Sequence, residues 1–410
     1  MDKWFYANER EIYGPYSEQE FLSLITTGKV TPETFVKREA DTTWSPLKES
    51  GFSTEETAAV KEAEFSLPDS VGTVFRGAAD KVNQMIGEKE QVDLRLSDVF
   101  SSVSKKHSKE EAELLFISGT AQTTPEEKNI SSSWPKPWLF SRVFLYLALT
   151  YLLLYVCTFT FYNVNAIPGL IVIGAFAVPF SLLVFFWETN APRNISIFEV
   201  VKMFFVGGVA SIVATLFIFS LFPVYTLDFG GAVTVGVIEE VGKLLIVAFF
   251  IYKLNTKYIL NGLLIGAAVG AGFAAFESAG YAFNIGLMFG ESAMVENIFD
   301  RAWLSIGGHV VWAAITGAAL TLVKGASTLT SEHIFNSRFL KIFAVPVALH
   351  AIWNMPLYTL EAFYFKYLVL VTIAWIFIFT LMNAGLKQIT RLNEEIREEE
   401  KGKRSNASPD

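Results

Sequence analysis

The sequence predicts an all-α polytopic membrane helix bundle of about eight transmembrane helices, preceded by a small α+β domain on the cytoplasmic side. Three observations predict it. Apolar residues make up 52% of the 410, and from Trp138 onward they come in runs near the length that crosses a hydrocarbon core about 30 Å thick. Basic residues recur in alternate short loops between those runs. The front of the chain differs in kind: residues 1–135 hold 24 acidic and 15 basic side chains, against 17 and 18 in the remainder.

The first fifty residues read as one small domain. Trp4-Phe5-Tyr6 is a β-prone opening, and Tyr13-Gly14-Pro15-Tyr16 reads as a turn. Ser17 followed by Glu20 predicts a capping box before Phe21, Leu22, Leu24 and Ile25, an amphipathic helix that Gly28 would end. Val36, Lys37 and Trp44-Ser45-Pro46-Leu47 predict a closing strand and turn. An aromatic opening, a Gly-Pro turn, a short helix ending in Gly and a late Trp resemble the GYF_2-type domain. That resemblance implies an adaptor that binds a peptide partner, proline-rich in character, on exposed aromatics. The competing reading is that Trp4, Phe21 and Trp44 only form the core. Residues 51–135 are polar and charged, and read as a linker with short helices near 71–86 and 108–116; His107, beside Lys105 and Lys106, reads as solvated.

Residues 136–388 form the membrane domain, with expected spans at 139–161, 167–187, 203–222, 231–251, 259–286, 302–323, 339–360 and 364–386. A charged tail, 389–410, follows. Lys136, Arg142, Arg193, Lys202, Lys253, Lys257, Lys324, Arg338, Lys341, Lys387 and Arg391 fall in one set of alternate loops. The other set carries Asp228, then Glu291, Glu296, Asp300 and Arg301, then Glu361 and Lys366. This bias puts both termini in the cytoplasm of a multi-pass cell-membrane protein. The charged and aromatic start is not a cleavable signal peptide. The single cysteine, Cys157, excludes an intrachain disulfide and a Cys-rich metal site. The charge balance gives no reason to expect nucleic acid as a partner; the lipid bilayer is the expected one.

Several spans hold groups that hydrocarbon penalises, by roughly 2.5–3.5 kcal/mol each on insertion scales. Glu239-Glu240-x-x-Lys243 lies in the fourth. Lys243 is one turn from both carboxylates and can neutralise one of them, so a structural ion pair leaves the second over. The fifth holds Glu277, Tyr281 and Asn284 at helical spacing, after a Gly262, Gly266, Gly270 ladder suited to close helix packing. The sixth holds His309, and the seventh holds His350 and Asn354 one turn apart. At about 1.5 Å rise per residue these groups meet at mid to outer depth.

Glu-Glu-x-x-Lys, Phe-Glu-x-x-x-Tyr, a separate His and His-x-x-Trp-Asn, in this order on successive helices, resemble the PrsW family of intramembrane proteases. That family is similar in turn to the CAAX prenyl endopeptidase and bacteriocin-immunity superfamily; Tyr281 stands where the wider superfamily has His. The resemblance implies a bacterial enzyme that cleaves membrane-anchored protein substrates. Two mechanisms fit. In one, Glu277, His309 and His350 bind a metal, Zn²⁺ by the donor types, and Glu239 deprotonates its water. In the other there is no metal: Glu239 activates water, His309 orients it, and His350 with Asn354 stabilises the oxyanion. In both, Glu240 and Lys243 set charge and orientation. No His-Glu-x-x-His motif and no membrane Asp pair is present, and Gly325-Ala326-Ser327 falls in a predicted cytoplasmic loop. The rival class is a non-proteolytic transporter or scaffold that uses the same groups for proton relay or packing.

Overall fold

A computed structural model of the protein describes residues 3–8, 11–17, 20, 21, 24, 25, 30, 31, 34–41, 43–50, 69–88, 96–357 and 360–406. The chain divides into two units, Met1–Gly72 and Thr73–Asp410.

In the first unit, β1 (Trp4–Asn8), β2 (Glu11–Tyr16), β3 (Phe35–Arg38) and β4 (Ser45–Pro46) form an antiparallel sheet ordered β2-β1-β3-β4. Tyr13-Gly14-Pro15-Tyr16, expected as a turn, lies inside β2. Trp4 pairs with Tyr16 and Tyr6 with Tyr13, so Gly14 and Pro15 are a bulge opposite Phe5. Gly14 sits at φ +138°, where a Cβ would strike the Phe5 ring and the Trp4 carbonyl. The Ser17 and Glu20 capping box forms, with Ser17 N–H donating to Glu20 Oε2 at 2.8 Å. Gly28 and Leu22 lie outside the described residues. Trp4 and Phe21 stack at 5.1 Å in a core with Tyr6, Val30, Val36 and Leu47, whereas Trp44 stays half-buried. Two of the three candidate binding aromatics are therefore core.

The second unit is a helix bundle. Between residues 73 and 135 it holds α1 (Asp69–Ile86), which begins just before the unit, and α2 (Lys109–Phe116). Ala79, Val82, Ile86 and Ile130 join the same apolar core as Leu183 and Phe185, so this stretch packs on the bundle. His107, read as solvated, stacks on Trp138 at 3.8 Å and bridges the Ser102 carbonyl and Glu111.

The expected spans form as α3 (Leu139–Phe159), α4 (Ile167–Glu188), α5 (Ile197–Leu221, with a π turn at Met203–Gly207), α6 (Phe229–Leu254) and α7 (Ile259–Phe289). They continue as α8 (Glu291–Leu304), α9 (His309–Lys324), α10 (Ser337–Asn354) and α11 (Leu360–Asn406). Among the described residues, six helical segments are long and apolar enough to cross a membrane, α8 and α9 counting as one. The other two expected spans fall on α6 and α10. Helices form at both places, but α6 carries Glu239, Glu240, Lys243 and Lys253, and α10 stops at Asn354 rather than 360. The span expected at 302–323 is broken: Ser305–Gly307 is a 3-10 turn, and His309 opens a new helix after Gly308. Gly307 and Gly308 weaken helix continuation there.

Two close approaches position the site. Helix α7 is buried from Ile259 to Ala275, and Cβ atoms added at Gly262, Gly266 and Gly270 would collide with the carbonyls of Gly317, Ala313 and His309 on α9. The ladder thus lets two backbones touch and sets Glu277, two turns after Gly270, beside the start of α9. At Gly236 a Cβ would stand 2.9 Å from the Ala351 nitrogen of α10, which brings Glu239 and Glu240, one turn on, to His350.

Candidate active site

Helices α6, α7, α8, α9 and α10 enclose a cavity of about 660 Å³. Glu239, Glu277, Tyr281, Arg301, His309, Trp312, His350 and Asn354 line it, and the 223–227 loop before α6 forms part of its wall. That loop is tied down by Asp228, the N-cap of α6. Asp228 accepts the Gly231 N–H at 2.8 Å and the Thr226 hydroxyl at 3.1 Å, bonds that hold its carboxyl below the usual carboxylate range.

Behind the cavity wall, Glu240 and Lys243 are fully buried. Lys243 Nζ donates to Glu240 Oε1 at 2.5 Å and to His309 Nδ1 at 2.8 Å, and lies 4.8 Å from the Phe273 ring centre. His350 Nδ1 donates to the same Glu240 oxygen at 2.9 Å. The expected Glu-Lys pair is therefore real, and it also wires both histidines.

The wiring gives the two rings different faces. An ammonium can only donate, so His309 Nδ1 accepts and its Nε2 carries the proton, which points to Glu277 Oε2 at 3.1 Å. An ionised carboxylate can only accept, so His350 Nδ1 carries the proton and its Nε2 is bare. That nitrogen lies 3.6 Å from Glu239 Oε2. The ring centres are 5.1 Å apart, and Trp312 stacks on His350 at 4.6 Å. Glu239 accepts no hydrogen bond from the protein among the described residues, and its Oε2 is buried. Buried polar atoms are usually satisfied, so a partnerless carboxylate facing a cavity marks a place for a further group.

One ligand atom from each of Glu239, His309 and His350 lies within 4.8 Å of the others. This donor set fits a divalent cation, and Glu240 behind His350 is the kind of carboxylate backing that orients metal-bound imidazoles. His309 would join through Nε2 by giving up its Glu277 contact and carrying its proton on Nδ1 instead, which requires Lys243 to accept there as a neutral amine. Glu277, expected among the ligands, is instead paired with Arg301, whose Nη2 donates to Glu277 Oε2 at 2.5 Å; Glu239 takes its place in the group of three. Asn354 is half-buried on the cavity wall, as its spacing from His350 implies, while Asn284 is exposed and lies off the cavity.

Two lining residues escaped the sequence reading. Arg301 is a loop charge by sequence, but α8 carries it into the site. Trp312 had a signal: His309-x-x-Trp312 repeats the spacing of His350-x-x-Trp353.

Fold and site together define a multi-pass membrane protein with a carboxylate–imidazole centre buried among its helices. Residues 196–382 match the model of the PrsW family intramembrane metalloprotease, and residues 4–50 match GYF domain 2. The helical unit is thus similar to the PrsW family over residues 196–382, and the front of the chain is similar to a GYF domain. Comparison with curated proteins and with solved structures gave no match.

Proposed function

We propose that the chain is an intramembrane endopeptidase that hydrolyses peptide bonds of membrane-anchored protein substrates, with Glu239 taking the proton of the attacking water. The observation that carries this reading is the Glu239 carboxylate, which lines the cavity with no hydrogen-bond donor among the described residues while His350 Nε2 stands 3.6 Å away. An ionised oxygen with no competing donor is free to accept a water proton. His350 is held by Glu240 with its bare nitrogen toward Glu239, so it can receive a proton and return it to the leaving amine. Asn354, one turn on, supplies an amide donor for the oxygen of the tetrahedral intermediate.

Glu239, His309 and His350 would hold a divalent metal, Zn²⁺ by donor type. Such an ion would acidify a bound water and polarise the scissile carbonyl. Without it, Glu239 activates water directly and the His309 Nε2–H orients it. The burial of Glu240 and Lys243 keeps the charge pattern fixed in this second case. The positive-inside pattern supports cytoplasmic termini, a GYF domain facing a cytoplasmic peptide partner, and a cut nearer the outer face, as in the first cleavage of a regulatory cascade in a bacterial membrane.

The test is processing of a co-expressed single-span substrate. Glu239→Gln should abolish cleavage while the protein still inserts in the membrane. Undiminished turnover by that variant would sink the protease reading and favour a transporter or scaffold.

A further inference from the structure

Arg301 is held on three sides. Its Nε donates to Ser278 Oγ at 2.9 Å, its Nη2 donates to Glu277 Oε2 at 2.5 Å, and its guanidinium lies 4.3 Å from the centre of the Tyr281 ring. Its side chain is nonetheless 27% exposed and lines the cavity. Among the described residues, Nη1 makes no bond to the protein, and it is not one of the buried unpartnered atoms. A guanidinium is a planar fork whose donors keep fixed directions once the others are anchored. Arg301 therefore presents a pre-aimed N–H₂ in the cavity that Glu239 and His309 also line.

We propose that Arg301 is a substrate-binding residue, whose Nη1 holds a main-chain carbonyl of the substrate inside the cavity. This rests on the peptidase reading and says how the peptide is gripped. Charge favours a carbonyl over an acidic side chain: Glu277 already neutralises the guanidinium, so a second carboxylate would meet its repulsion, whereas a neutral acceptor would not. The chemistry requires such a grip. A transmembrane helix has its carbonyls paired internally, so a bond can be cut only where the helix unwinds, and each carbonyl freed among the helices needs a new donor. The anchors at Ser278, Glu277 and Tyr281 order Arg301 in advance, so little side-chain freedom is lost when the peptide arrives.

The experiment separates binding from hydrolysis. Full-length protein in detergent micelles, carrying Glu239→Gln so that no cut occurs, is titrated with a fluorescein-labelled single-span Leu/Ala peptide interrupted by one Gly-Gly pair. Adding Arg301→Met should weaken binding roughly tenfold to hundredfold, the range of a charge-assisted hydrogen bond. Arg301→Lys, which keeps the charge but loses the fork, should also weaken it, and stands in should the methionine variant fail to fold. Glu277→Gln in the same background is the control for a structural role. It removes the charge but keeps an oxygen to accept from Nη2, so the fork stays anchored and peptide binding should weaken less than in either Arg301 variant. Equal loss in the Arg301 and Glu277 variants would show that Arg301 acts only through Glu277, and unchanged binding in both Arg301 variants would likewise overturn the proposal. Failure of the parent protein to cleave its substrate would count against the peptidase reading alone, because binding is read in a protein that does not cleave.

Discussion

His350 Nδ1 donates to Glu240 Oε1 at 2.9 Å, and the same oxygen takes a hydrogen bond from Lys243 at 2.5 Å. One carboxylate oxygen therefore sets the orientation of an imidazole on α10 and neutralises an ammonium on its own helix, with no contact to the cavity. The adjacent Glu239 points the other way, onto the cavity wall. Consecutive carboxylates have divided into a structural one and an available one.

That division predicts different failures for the two glutamates. Glu240→Ala leaves Lys243 charged, fully buried and unpaired, a situation that costs about 3–5 kcal/mol in proteins. The variant should lose its cooperative melting transition in detergent micelles, or show it at much lower temperature. Restoring a neutral pair with Glu240→Gln and Lys243→Met together should recover much of that stability. A double variant no more stable than Glu240→Ala would refute the ion-pair account.

Metal content separates the ligand set expected from sequence from the set the fold assembles. If Glu239, His309 and His350 hold the ion, His350→Ala should lower the zinc stoichiometry of purified protein severalfold, and Glu277→Gln should leave it near the parent level. Loss of zinc in the Glu277 variant would restore that residue to the ligand set. Activity lost on chelation and regained with Zn²⁺ would establish metal dependence, and activity indifferent to chelation would favour direct activation of water by Glu239.

The approach of α7 to α9 makes Gly266 a sensitive point. A Cβ there collides with the Ala313 carbonyl, a backbone atom that cannot swing aside. Gly266→Val should destabilise the protein by at least the ~1–3 kcal/mol typical of overpacking. It should also lower activity, because it drives His309 from Glu277. Gly280→Val, on the same helix but in open space, is the control and should melt with the parent. Equal melting temperatures for the two variants would argue against the close contact.

The sequence by itself determined the class of this protein. Runs of apolar residues, alternating loop charge and a Glu-Glu-x-x-Lys spacing are local features, readable because helix period and bilayer thickness are constants. In the front domain the Ser17 and Glu20 cap was legible, whereas the bulge that keeps Gly14 and Pro15 inside β2 was not. Helical spacing also put Lys243 on Glu240 and Asn354 beside His350. The break before His309 was not legible, since a Gly-Gly pair in an apolar run is compatible with an unbroken span. Nor was Arg301, because its role depends on α8 folding back along α7, a contact between helices that leaves no period in the chain. Only the tertiary structure decided which glutamate faces the cavity, which histidine nitrogen is bare, and that Glu277 is matched to Arg301. These depend on where helix axes cross and how each side chain's few hydrogen-bond directions are filled, and the packing of backbones at Gly236, Gly266 and Gly270 settles both.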